Sequence, residues 1–129
     1  MDINEYQREC LRTAKGMTNF VILTENHVNS NNDRIDINYP MLLNGLMGLN
    51  GEAGECIDIY KKHLFQDHEL NKEHLAKELG DVAWYLAVSA SALGYDLEDI
   101  FRMNVEKLRV RYPDGFDPEL SKHRKENDI

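Results

Sequence analysis

From Tyr39 to His63 the spacing of apolar residues predicts a helix whose apolar surface is wider than a single stripe. Leu42, Leu43, Leu46, Met47, Leu49, Ala53, Cys56, Ile57, Ile59 and Tyr60 cover more than one face of it. A helix of this kind has to be covered on several sides, and a chain of 129 residues cannot easily supply that cover alone. The pattern therefore predicts a small helical bundle that assembles as a homo-oligomer. Pro40 falls in the first turn, where its missing N–H does no harm.

The remaining punctuation is also helical. Asn4 to Lys15 reads as a first amphipathic helix, with Gly16 placed as its C-cap. Residues 17–38 form a variable connection, rich in turn formers from Glu25 to Asp33, of a length that suits a lid or an unstructured link. Asn71 is the expected N-cap of a third helix with a core stripe of Leu75, Leu79, Val82, Leu86 and Leu93, ended by Gly94. Asp96 is expected to cap a fourth helix that runs to about Tyr112 and is stopped by Pro113 and Gly115. The tail, 117–129, has little apolar content and is expected to be loosely held. No convincing strand pattern appears. The expectation is one all-α domain over 1–129, with a first helix in 1–16 and the main helices in 39–116.

A formal net charge of -8 argues against binding a nucleic-acid polymer, since no basic excess exists to neutralise a phosphate backbone. Near the N-terminus the longest aliphatic or aromatic run is Phe20 to Leu23, too short for a signal core or a membrane span. The default location is cytoplasmic. Cys10 and Cys56 are read as small buried hydrophobes, with no disulfide and no zinc assigned.

Chemistry enters with two acidic pairs inside the helical patterns, Glu52-x-x-Glu55 and Glu78-x-x-Asp81. Residues three apart share a helix face, so each pair aims two carboxylates one way, and two such helices side by side converge four. Gathered carboxylates repel one another and lose hydration unless a cation compensates them. An all-oxygen set suits Mg²⁺, with Mn²⁺ as substitute, rather than zinc. A di-iron site would need Glu-x-x-His, which the chain lacks. Gly48, Gly51, Gly54 and Gly80 flank the pairs at a helix cost of roughly 1 kcal/mol each, which points to a packing or ligand-access role. Taken singly, any Glu-x-x-Glu is more often a solvated surface feature. Lys61 and Lys62 complement the helix dipole, and Lys62 is also placed for phosphate contact. His63, Asp67 and His68 read as solvated loop residues.

Taken together, Gly51-Glu-Ala-Gly-Glu55, Lys61-Lys62, Lys77-Glu-Leu-Gly-Asp-Val-Ala-Trp-Tyr85, Asn104-Val-Glu-Lys107 and Arg109-Val-Arg-Tyr-Pro-Asp-Gly-Phe116 resemble the MazG-like nucleotide pyrophosphohydrolases. The likeness runs from about Met41 to Phe116, and Asn4 to Thr13 resembles that family's first helix. It implies a four-to-five-helix bundle of the all-α NTP pyrophosphohydrolase type, assembled as a dimer or tetramer. It also implies Mg²⁺-dependent cleavage of an NTP or dNTP between the α- and β-phosphates. By this resemblance Glu52, Glu55, Glu78 and Asp81 hold the metal, while Asn104, Lys107 and Arg111 face the triphosphate or the carboxylates. Glu55 is the choice for the group that takes the proton from the attacking water, although the sequence leaves that assignment open. Tyr85, one turn beyond Asp81, is placed to stack on a nucleobase, and Trp84 is assigned to the core.

Two other readings stand beside this one. A silent relative that binds a nucleotide or a partner protein for regulation would keep the same residues. A purely structural bundle would gain no stability from a divalent cation, whereas a site present only in the native state must be stabilised by its ligand.

Overall fold

The computed structural model describes residues 1–14 and 37–124. They form five α-helices and, among the described residues, no strand: α1 (Ile3–Thr13), α2 (Tyr39–Phe65), α3 (Lys72–Ala92), α4 (Leu97–Arg111) and α5 (Pro118–Lys122). The connection expected over 17–38 lies outside the described residues apart from Ile37 and Asn38, as does the end of the tail, 125–129. No helix among the described residues is long and apolar enough to cross a membrane. The chain divides into two compact units, Met1–Leu97 and Glu98–Ile129.

The first unit is built on a hairpin of α2 and α3. Asn38 caps α2 by accepting from the Met41 N–H at 3.1 Å, and its own N–H donates to the Ala92 carbonyl at 2.9 Å, which pins the start of α2 to the end of α3. Gly45 faces Ser89 and Gly48 faces Tyr85, so rising numbers on α2 meet falling numbers on α3 and the pair is antiparallel. At these two crossings the glycines are required: a Cβ at Gly45 would meet the Ser89 hydroxyl, and one at Gly48 would meet the Tyr85 ring. Around Gly51, Gly54 and Gly80 there is open space instead, so among the described residues nothing packs against those three.

The turn between the helices carries Asp67 at φ 57°, a left-handed conformation that Asp tolerates better than most residues. Asn71 caps α3 as expected, accepting from the His74 N–H at 3.0 Å. At its far end the Tyr95 N–H donates to the Ala90 carbonyl and the Gly94 N–H to the Ser91 carbonyl, both at 3.0 Å, with Gly94 at φ 79°. This is the Schellman arrangement, and it requires a residue that accepts positive φ.

α1 starts at a capping box in which Asp2 accepts from the Glu5 N–H and Glu5 reaches back to Asp2. It closes on Ala14, whose N–H returns to the Leu11 carbonyl; Gly16, the expected C-cap, lies outside the described residues. Gln7, buried on its inner face, donates to the Ser91 hydroxyl at 2.7 Å and the Tyr95 carbonyl at 3.0 Å, and accepts from the Leu97 N–H at 2.7 Å. One side chain thus ties α1 to the turn after α3. Among the described residues the buried apolar side chains are mostly small, Cys10, Ala14, Ala87, Val88, Ala90 and Ala92 beside Leu97, with Val88 the largest that is fully buried. Much of α2 faces solvent instead, with Met47 67%, Ile57 62% and Phe65 79% exposed. A groove of about 440 Å³ runs along Ile57, Tyr60, Leu64 and Phe65.

In the second unit α4 begins directly after Asp96 and ends at Arg111, followed by Pro113 and by Gly115 at φ 98°. The tail carries a short helix that the sequence reading did not place. Asp117 caps α5 by accepting from the Glu119 N–H at 2.8 Å, with Pro118 in the first turn and Lys122 in the last. Those start and stop signals hold a short helix despite the low apolar content.

Candidate metal centre

The hairpin register that sets Gly48 against Tyr85 carries Glu52 and Glu55 of α2 toward Glu78 of α3. One carboxylate oxygen from each of these three residues lies within 4.8 Å of the other two. Glu52 and Glu78 are half-buried and Glu55 is exposed, so the cluster opens to solvent on one side. Asp81 stands outside the group of three but acts on it electrostatically. The Glu52 carboxyl is pushed above the usual carboxylate range, first by loss of hydration and then by the charges of Glu55, Asp81 and Glu78. A group of this kind carries uncompensated negative charge, and its all-oxygen donors fit a hard divalent cation.

α1 borders the same end of α3. The Tyr6 hydroxyl donates to the Gly80 carbonyl at 3.3 Å. Its phenol is pushed up to about 12, chiefly by burial, then by its contact with the Cys10 thiol, and last by the charge of Asp81. The Trp84 indole N–H donates to the Thr13 hydroxyl at 2.9 Å, so this ring, assigned from sequence to the core, is half-buried with a polar anchor in α1.

Two other residues singled out in the sequence, Tyr85 and Lys62, are engaged elsewhere in the first unit. The Tyr85 ring, expected beside a nucleobase, sits in the α2–α3 seam over Gly48 and packs edge-on against Trp84, with centroids 4.8 Å apart and an 84° interplanar angle. Lys62 is paired with Asp58 at 2.5 Å, and Lys61 with the other oxygen of the same carboxylate at 2.6 Å. These two lysines hold the Asp58 carboxyl down at about 2. Asn104, Lys107 and Arg111 recur along one stripe of α4 in the second unit, the first two exposed and Arg111 half-buried with its guanidinium 6.0 Å from the Tyr112 ring centroid.

Sequence reasoning missed one neighbour of the carboxylate group, His74, and one buried polar tie of the fold, Gln7. His74 places Nε2 2.9 Å from Glu78 Oε1. The signal was an i,i+4 His–Glu spacing, legible but overlooked beside the search for Glu-x-x-His. Gln7 carried a weaker signal, as a polar residue three before Cys10 on the apolar face of α1.

Compared with known proteins, residues 43–116, more than half of the chain, match the sequence profile of the MazG nucleotide pyrophosphohydrolase domain. The chain belongs to the MazG family. The matched span contains all four acidic residues together with Asn104, Lys107 and Arg111. A curated relative, the Gene 37 protein of Mycobacterium phage L5, is 40% identical over 73 residues, which are 54% of this chain and 64% of the relative. The aligned stretch thus falls short of two thirds of that protein, and its name states no activity. No solved structure matches the chain.

Proposed function

We propose that this MazG domain is a Mg²⁺-dependent nucleoside triphosphate pyrophosphohydrolase that releases pyrophosphate from an NTP or dNTP, in nucleotide-pool housekeeping in the cytoplasm. The observation that carries the reading is the group of Glu52, Glu55 and Glu78, drawn from two helices with oxygens within 4.8 Å, inside a segment matched to the family. These three, with Asp81 beside them, are the residues that would hold Mg²⁺ or Mn²⁺. The ion, when bound, supplies charge neutralisation and polarisation at the phosphoryl oxygens, which lets an acidic chain accept an acidic substrate.

The residues then divide the work by position. Glu55, the exposed member of the group, is our choice for the general base that takes the proton from the attacking water. Asn104, Lys107 and Arg111 offer neutral and cationic donors to the triphosphate from one stripe of α4, and Lys62 is a further cation for it once released from Asp58. The exposed apolar side chains of α2, Met47, Ile57 and Phe65 among them, favour a homo-oligomer, dimer or tetramer, in which a second copy covers that face.

The test is pyrophosphate release from a panel of canonical and modified NTPs and dNTPs with Mg²⁺, run beside Glu55→Gln and Asp81→Asn. Release that needs the metal and collapses in both variants is the expected result. Silence across the panel with metal-dependent nucleotide binding would replace the enzyme with a regulatory binder, and no binding at all would leave a structural bundle.

A further inference from the structure

Of the three grouped carboxylates, Glu52 and Glu55 have no hydrogen-bond donor among the described residues, whereas Glu78 has one. His74 lies one turn earlier on α3, with Nε2 2.9 Å from Glu78 Oε1. An ionised carboxylate only accepts, so the ring must carry its hydrogen on Nε2 to make this bond. Glu78 is the more enclosed partner, its side chain 14% exposed against 55% for His74. The cation next in sequence, Lys77, is occupied with Glu73 at 2.9 Å. On a helix, positions 74, 78 and 81 share one face, which sets His74 on the face that carries both acidic residues of α3.

An exposed i,i+4 pair contributes little to stability by itself. Its value here is positional. A carboxylate free to turn about its last torsion must lose that freedom when it ligates a cation, and a donor on one oxygen removes much of it beforehand. We infer that His74 is a positioning residue of the metal centre, its Nε2–H fixing the Glu78 carboxylate so that the divalent cation meets an oriented ligand. The inference rests on the metal-centre reading above and adds a residue to it.

The experiment titrates Mn²⁺ into the full chain by calorimetry for the wild type, His74→Phe, His74→Gln and Glu78→Gln, with melting of each metal-free protein alongside. Loss of the donor in His74→Phe is expected to weaken Mn²⁺ affinity about tenfold, the usual scale for an outer partner of a ligand, and to raise the metal concentration for half-maximal turnover in proportion. His74→Gln, which keeps an N–H donor, is expected to recover most of that loss. Wild-type affinity in His74→Phe would overturn the inference while leaving the metal centre intact. Equal weakening in both His74 variants, with matching losses in metal-free melting temperature, would also overturn it, because the side chain would then only be supporting the helix. A wild type that takes up no Mn²⁺ would remove the metal centre and this inference together.

Discussion

Gly48→Ala places a methyl group where the Tyr85 ring now lies, against its Cδ1, Cε1 and Cζ atoms. Helix propensity alone would favour the change by about 1 kcal/mol. The ring, however, is half-buried and packs edge-on against Trp84, so it has to leave the seam or push α2 away from α3. Losing the edge-on aromatic contact costs about 0.5–1.5 kcal/mol, and overpacking a seam costs about 1–3 kcal/mol. The net expectation is a loss of about 0.5–3.5 kcal/mol, or roughly 2–13 °C in melting temperature for a chain of this length. Gly51→Ala meets nothing within 4 Å and is the control; it is expected to gain up to about 1 kcal/mol. The decisive form is the cycle with Tyr85→Ala, read by thermal melting: once the ring is gone, Gly48→Ala should turn from destabilising to stabilising. A Gly48→Ala protein that melts at or above the wild type in the Tyr85 background would refute the reasoning.

Glu52→Gln is expected to raise the melting temperature of metal-free protein at pH 7. The sign follows from the raised carboxyl: its ionised form is disfavoured in the native state, so the penalty is present above its folded pKa and fades as the pH falls and the group protonates. Melts in EDTA at pH 7 and pH 4 test this, with a lower variant at pH 7 as the contrary result. At one hundred times its dissociation constant Mg²⁺ should add about 2.7 kcal/mol to the wild type, a gain that Glu52→Gln should largely forfeit. Asp58 runs the other way, its stabilisation present above the ordinary carboxylate range and lost as the pH falls through about 2. Asp58→Asn should therefore lower the melting temperature modestly at pH 7 in low salt, less in high salt and not at all near pH 2. Gln7→Leu strips the buried Leu97 N–H of its acceptor and should cost about 1–3 kcal/mol, measurable by urea unfolding at unchanged m-value.

Helix positions were legible because the interactions that set them are local. Asn38, Asn71 and Gly94 act on groups within a few residues, and the acidic spacing of three places each pair on one face whatever surrounds it. The same local grammar was present at Asp117-Pro-Glu119, and α5 was missed only because low apolar content outweighed it. Nothing local could distinguish Gly48 from Gly51, both glycines in one helix; the first meets the Tyr85 ring and the second meets open space. Spacing predicted that the two pairs converge if their helices lie side by side, but it could not say that Glu52, Glu55 and Glu78 would bring oxygens within 4.8 Å while Asp81 stays outside that group, or that Gln7 would be buried. Contacts one turn apart were enough to place α1 to α4 and to supply the residue types able to hold a cation. Which of those residues meet was left to packing, because the register of α2 on α3 is set by how two whole faces fit, and a shift of one residue there rotates every side chain by about 100°.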